Sequence, residues 1–125
     1  MNESPLFTRA YDFLLWLIPH VQQFPRKHRF GLAERIQTTA LNLQDSLVAA
    51  GKSYGQRRVD CLQRADIQLA QLRIWIRMAR DLECLTVRQY EHAANLIDEV
   101  GRLLGAWIKD PNPPRNAAGP QNRAA

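Results

Sequence analysis

Apolar residues recur along this chain at steps of three and four, the spacing of one face of an α-helix. Ser4-Pro5 opens the first such stretch, with serine suited to the N-cap and proline to the first helical position. Phe7, Tyr11, Leu14, Ile18 and Val21 then keep the rhythm, predicting a first helix that runs to Gln23. A kink is expected at Pro19, which removes a backbone donor and disfavours helix at Ile18. Phe24-Pro25 makes a turn, with the basic cluster Arg26-Lys27-His28-Arg29 behind it. A second helix carries Leu32, Ile36, Thr39, Leu43, Leu47 and Ala50, stops at Gly51, and gives way to a loop over 52–55. The third is the longest: Leu62, Ala65, Leu69, Leu72, Ile76 and Ala79 form an unbroken, heptad-like seam. It ends near Asp81 and Glu83. Thr86 and Gln89 then read as a capping box for a fourth helix, with Tyr90, Ala93, Ile97, Val100, Leu104 and Trp107 as its seam.

No segment has the period of a strand, and no internal repeat occurs. Four seams predict an all-α, up-and-down four-helix bundle over residues 1–109. From Asp110 onward the chain holds four of its seven prolines and no large apolar residue. Such a stretch buries too little surface to offset its ordering entropy, so 110–125 is expected to be a disordered tail.

The helices carry more apolar surface than four seams need. On the third, Ile67, Ile74, Met78 and Leu82 fall nearly opposite the seam, with Trp75 beside them. The first has a second stripe of Leu6, Ala10, Phe13 and Leu17, with Trp16 at its edge. On the fourth, Ala94, Gly101, Gly105 and Ile108 make a small-residue stripe that lets another helix approach closely. One thick bundle can use such residues at its layer boundaries, but contiguous stripes imply a partner. Self-association is therefore expected, with Ile67, Ile74, Trp75, Met78, Leu82, Phe13, Trp16 and Leu17 at the interface.

Composition sharpens this picture in two ways. A length of 125 residues fits one domain, and 17 Lys+Arg against 12 Asp+Glu leave a formal net charge of +5. Fourteen of the 17 cations are arginines, whose planar fork suits phosphate and carboxylate. The longest apolar run, 13–18, has six residues, far short of the roughly 20 a spanning helix needs. No secretory signal pattern opens the chain. Cys61 and Cys84, 23 residues apart, would lie about 35 Å apart on one helix, beyond disulfide reach. A cytoplasmic protein is expected, bound to no membrane.

Enzymatic constellations are thin. His20, His28 and His92 lack metal-ligand spacing, the cysteines form no CxxC pair, and neither phosphate-binding glycine motif occurs. Asp98 and Glu99 point about 100° apart on a helix and read as a solvated face near Arg102. No catalytic group, metal or cofactor is expected. The arginines are better organised. Arg73, Arg77 and Arg80 line one edge of the third helix, Arg58 lies roughly on that edge, and Arg57 and Arg64 share another. A row of like charges asks for acids opposite, either carboxylates such as Glu91 and Asp98 or the phosphates of a nucleic acid. Assembly into a ring multiplies the net charge and strengthens the case for an anionic partner. No aromatic residue interleaves the arginines, so base stacking and sequence readout are not expected.

The stretch Phe24-Pro25-Arg26-Lys27-His28-Arg29-Phe30-Gly31-Leu32, with Ile36, Ala40 and the stop at Gly51, resembles an FPxxxRxGLxxxI signature. That signature marks a small four-helix-bundle family. It includes proteins encoded in intervening sequences of bacterial ribosomal RNA genes and the accessory variability determinant (Avd) of diversity-generating retroelements. The stretch from Ala65 to Leu72, and that from Leu82 to Trp107 with its closing Leu-Leu-Gly-Ala-Trp, looks like the Avd branch. Many relatives place a proline and Asn-Ile-Ala-Glu-Gly late in helix two; residues 42–51 here depart from that, which is compatible with the retroelement branch. The resemblance covers residues 5–109. It implies a homopentameric barrel of four-helix bundles and a reverse transcriptase partner. With template RNA, the two proteins support adenine-directed mutagenic cDNA synthesis (mutagenic retrohoming).

Residues and resemblance together give an expected function: a non-catalytic accessory protein that binds reverse transcriptase and template RNA or DNA without sequence preference. Arg73, Arg77 and Arg80 are its first candidate phosphate contacts, then Arg57 and Arg58, then Arg26, Lys27 and Arg29. The alternative is an oligomeric protein-interaction scaffold whose arginines meet acidic protein surfaces.

Overall fold

The computed structural model describes residues 4–112. Four α-helices carry the chain: α1 (Pro5–Val21), α2 (Glu34–Gly51), α3 (Gly55–Asp81) and α4 (Val87–Lys109). Between α1 and α2 lie a 3-10 turn, Arg26–His28, and a π-helical turn, Arg29–Ala33. The start signals work as their residue types dictate. The Ser4 hydroxyl accepts from the Leu6 amide at 3.1 Å. Thr86 and Gln89 close a full capping box, each side chain accepting from the other's backbone N–H at 3.0 Å. Pro19 does not end α1, which continues through it to Val21.

Helix α1 packs on α2 and α4, and α3 packs on the same two. Chain neighbours in contact, with α1 and α4 closing the circuit, make an up-and-down bundle. One end therefore holds the α1–α2 corner and the α3–α4 corner. The other holds the α2–α3 corner, the start of α1 and the end of α4.

Seams on α3 and α4 sit where periodicity puts them: the six residues from Leu62 to Ala79 and the five from Ala93 to Trp107 are buried. On α1 the outcome differs. Leu6, Ala10, Phe13 and Leu17, expected to face other copies, are buried inside the subunit together with Leu14 and Val21. Tyr11, assigned to the seam, is 58% exposed. At about 100° per residue the six buried positions fill one arc roughly 100° wide, the width a core-facing helix presents. Phe13 and Leu17 are thus core residues, closed to any interface between subunits.

Contacts run three residues past Lys109. The Pro111 carbonyl accepts from Arg58 Nη1 at 3.0 Å and from Trp107 Nε1 at 3.3 Å, and Asn112 Oδ1 accepts from the Gly55 amide at 3.2 Å. The rest of the expected disordered tail, 113–125, lies outside the described residues.

Leu17 is wholly buried, so Leu17→Ala should cost about 2–5 kcal/mol through lost transfer energy and the cavity left behind. Urea unfolding would measure this. A loss below 1 kcal/mol accompanied by a change in subunit number would return Leu17 to an interface.

Candidate functional site

The arginine edge of α3 is heterogeneous. Arg73 Nη1 donates to Asp98 Oδ1 on α4. Its guanidinium lies over Gly101, where a Cβ would stand 2.7 Å from Nη2 and 3.3 Å from a Leu69 methyl. Gly101 therefore serves a close approach within the subunit. Glu99 turns the other way, to Arg9 at 2.9 Å and Arg102 at 3.9 Å. The two adjacent carboxylates thus serve separate partners. Arg80 bonds Asp81 at 2.9 and 3.0 Å and stands 4.4 Å above the Tyr90 ring. Arg77 is exposed and meets no carboxylate among the described residues. Arg73, Arg77 and Tyr90, with Ile74, Ala94 and Asp98, line a groove of about 320 Å³ between α3 and α4.

Arg58 has a different role from the one expected. It is 3% exposed, donates from Nε to the Ala50 carbonyl at 2.9 Å, and reaches Pro111 from Nη1. The Tyr54 and Trp107 rings lie 5.8 and 5.6 Å from its guanidinium carbon. Burial pulls its pKa down from the usual arginine value. It ties the end of α2 to the chain after α4 and cannot reach a phosphate. Its neighbour Arg57 is exposed.

Arg26, Lys27 and Arg29 are exposed at the α1–α2 corner, and none meets a carboxylate among the described residues. The sequence holds no acid between Asp12 and Glu34, which leaves this corner without local compensation. Lys27 stands near enough to Cys84, on the α3–α4 corner, to act on its thiol. Burial raises the Cys84 pKa and the lysine charge partly opposes that, leaving the thiol protonated at neutral pH. Among the described residues no group of three or more His, Cys, Asp or Glu is placed to hold a metal ion.

The candidate interface residues divide. Ile67 and Ile74, 59% and 54% exposed, stand clear of the core with Met78 and Leu82. Trp75 is half-buried beneath Arg35, whose guanidinium carbon is 5.8 Å from the ring centre. Trp16 is also half-buried, stacked on His20 at 4.0 Å with His92 at 5.0 Å.

A family model described as bAvd-like matches residues 6–111. The chain belongs to the bAvd-like family. No curated protein matches it. The bAvd-like match spans all four helices and ends on Pro111, the residue whose carbonyl Arg58 holds. Aromatic residues, Tyr90 and Phe30 included, stand among the cations of this bAvd-like chain where none was expected. Tyr90 reaches Arg80 from another helix, which no local spacing reveals. Phe30 directly follows Arg29 and is 81% exposed, a signal that was present in the basic run itself.

Arg58→Met removes two charge-assisted hydrogen bonds and should lower stability by about 1.5–3 kcal/mol. Arg77→Ala, at an exposed position, should stay within about 0.5 kcal/mol of the parent. Chemical denaturation of both variants distinguishes the structural arginine from the free one, and equal losses would overturn the division.

Proposed function

We propose that this protein is a non-catalytic, cytoplasmic accessory subunit of a diversity-generating retroelement, which binds reverse transcriptase and template nucleic acid and supports mutagenic cDNA synthesis. The observation that carries the reading is the α1–α2 corner of a bAvd-like chain. There Arg26, Lys27 and Arg29 stand exposed without a carboxylate partner among the described residues. Guanidinium and ammonium groups that meet no carboxylate among the described residues, on a chain of net charge +5, favour phosphate. Arg77 and Arg57 extend the basic surface. Arg73 and Arg80 are secondary, because each already has a carboxylate of its own. Contacts of this kind position a nucleic acid without reading its sequence.

The copies assemble, in this reading, into a pentamer. Ile67, Ile74, Met78 and Leu82, exposed on the outer side of α3, supply the apolar contact, with Trp75 at its edge. Ile74→Glu should yield a monomer with unchanged helix content, measured by light scattering and circular dichroism. A variant that keeps its subunit number would remove this face from the interface.

A second reading is favoured by the Arg73–Asp98 and Arg80–Asp81 pairs. It makes the protein a scaffold whose cations meet acidic protein surfaces. Size exclusion with light scattering, with and without a structured RNA at two salt concentrations, separates the two readings. For nucleic-acid binding, log affinity falls with log salt by about 0.7–0.9 per phosphate neutralised. Replacing Arg26, Lys27 and Arg29 by alanine should reduce that slope by about 2 to 3. Retention indifferent to both salt and these substitutions would leave the scaffold.

A further inference from the structure

Phe30 is the most exposed large apolar side chain among the described residues, at 81%. It sits in the π-helical turn Arg29–Ala33 that leads into α2. A wider turn takes more residues per revolution than an α-helix. The turn thus shifts the phase of the chain ahead of Ala33 and Ile36, both of which face the core. Arg29 and Phe30 consequently stand off the core-facing line, and both are exposed. Gly31, the next residue, is also exposed, and a Cβ added there would meet no atom within 4 Å.

Four basic-type residues, 26–29, precede the ring directly, and three of them carry full charge at neutral pH. On the adjacent α3–α4 corner the exposed Arg88 and the exposed Glu83 offset one another in formal charge, so the positive charge beside the ring comes from the α1–α2 corner itself. An aromatic face rising from uncompensated cations is the combination that holds a single-stranded nucleic acid: cations take the phosphates and the ring stacks on a base. A second copy fits this corner poorly, since it brings the same cations and a net charge of +5. The exposed stripe suited to a copy lies elsewhere, on α3.

We propose that the α1–α2 corner is a single-strand site in which Phe30 stacks on an unpaired base while Arg26, Lys27 and Arg29 hold the flanking phosphates. The inference rests on the nucleic-acid reading above and narrows it from any phosphate backbone to unpaired template.

Three probes test it on the full chain: a twelve-nucleotide oligo-uridylate, an abasic strand of equal length, and a duplex of matched phosphate number. Fluorescence anisotropy gives the affinities. Phe30→Ala should weaken oligo-uridylate binding by about 5- to 100-fold. It should leave the duplex, the abasic strand and the salt slope unchanged. Phe30→Trp should restore binding, and strand addition should quench its indole fluorescence. Equal losses on all three probes, or none on oligo-uridylate, would overturn the stacking role while leaving the broader reading intact. A changed subunit mass for Phe30→Ala by light scattering would assign the ring to an interface between copies and also overturn it. If the unsubstituted protein binds none of the probes, this inference and the nucleic-acid reading both fail.

Discussion

Burial of one apolar stripe from each helix carries this structure, because little else in it can. Leu17, Leu47, Leu72 and Leu104, one from each of the four helices, are wholly buried in a single cluster. Both cysteines are free. The ion pairs at Arg9, Arg73 and Arg80 join exposed side chains, where solvent and salt screening reduce a pair to a fraction of a kcal/mol. Each fully buried leucine contributes about 1.5–3 kcal/mol relative to exposure. The surface charges are therefore spare in the energetic sense. They can be distributed for a partner without endangering the fold.

Periodicity made most of this legible, and its one large failure has a geometric cause. Helices α3 and α4 each present one continuous seam, so steps of three and four identify the buried face directly. Helix α1 has apolar residues over more than half its circumference, among them Leu6, Phe7, Ala10, Tyr11, Phe13, Leu14, Leu15, Leu17 and Ile18. Two stripes about 90° apart satisfy the same spacing there. What decides between them is where α2 and α4 lie, which is information from the tertiary structure. The side-chain chemistry did carry a hint, since tyrosine keeps a polar tip and suits a boundary position. Tyr11 sits at such a boundary.

Arg58 was illegible for a related reason. Arg57 and Arg58 are neighbours of identical type, and only the latter points at the carbonyl of Ala50 and at Pro111, 53 residues further along the chain. Burying a guanidinium is tolerable only with hydrogen-bond partners in place, and these come from two other elements. Asp98 and Glu99 show the opposite case. A turn of about 100° between adjacent positions already sends them to different neighbours, and Asp98 was among the acids expected opposite Arg73.

These placements give the bundle two unlike ends. At the α2–α3 end, Arg58 and Trp107 close on Pro111 while Gly55 holds Asn112, so these groups find partners within the subunit. At the α1–α2 end, Arg26, Lys27 and Arg29 meet no carboxylate among the described residues, and the π-helical turn leaves Phe30 in solvent beside them. A turn serving only to connect two helices gains nothing from an exposed aromatic ring, and an unneutralised cluster costs electrostatic repulsion. Both costs fall on the same few residues of the FPxxxRxGL stretch. That coincidence is what a binding surface requires: a rigid four-helix body below, and above it charge and apolar area that the body itself does not consume.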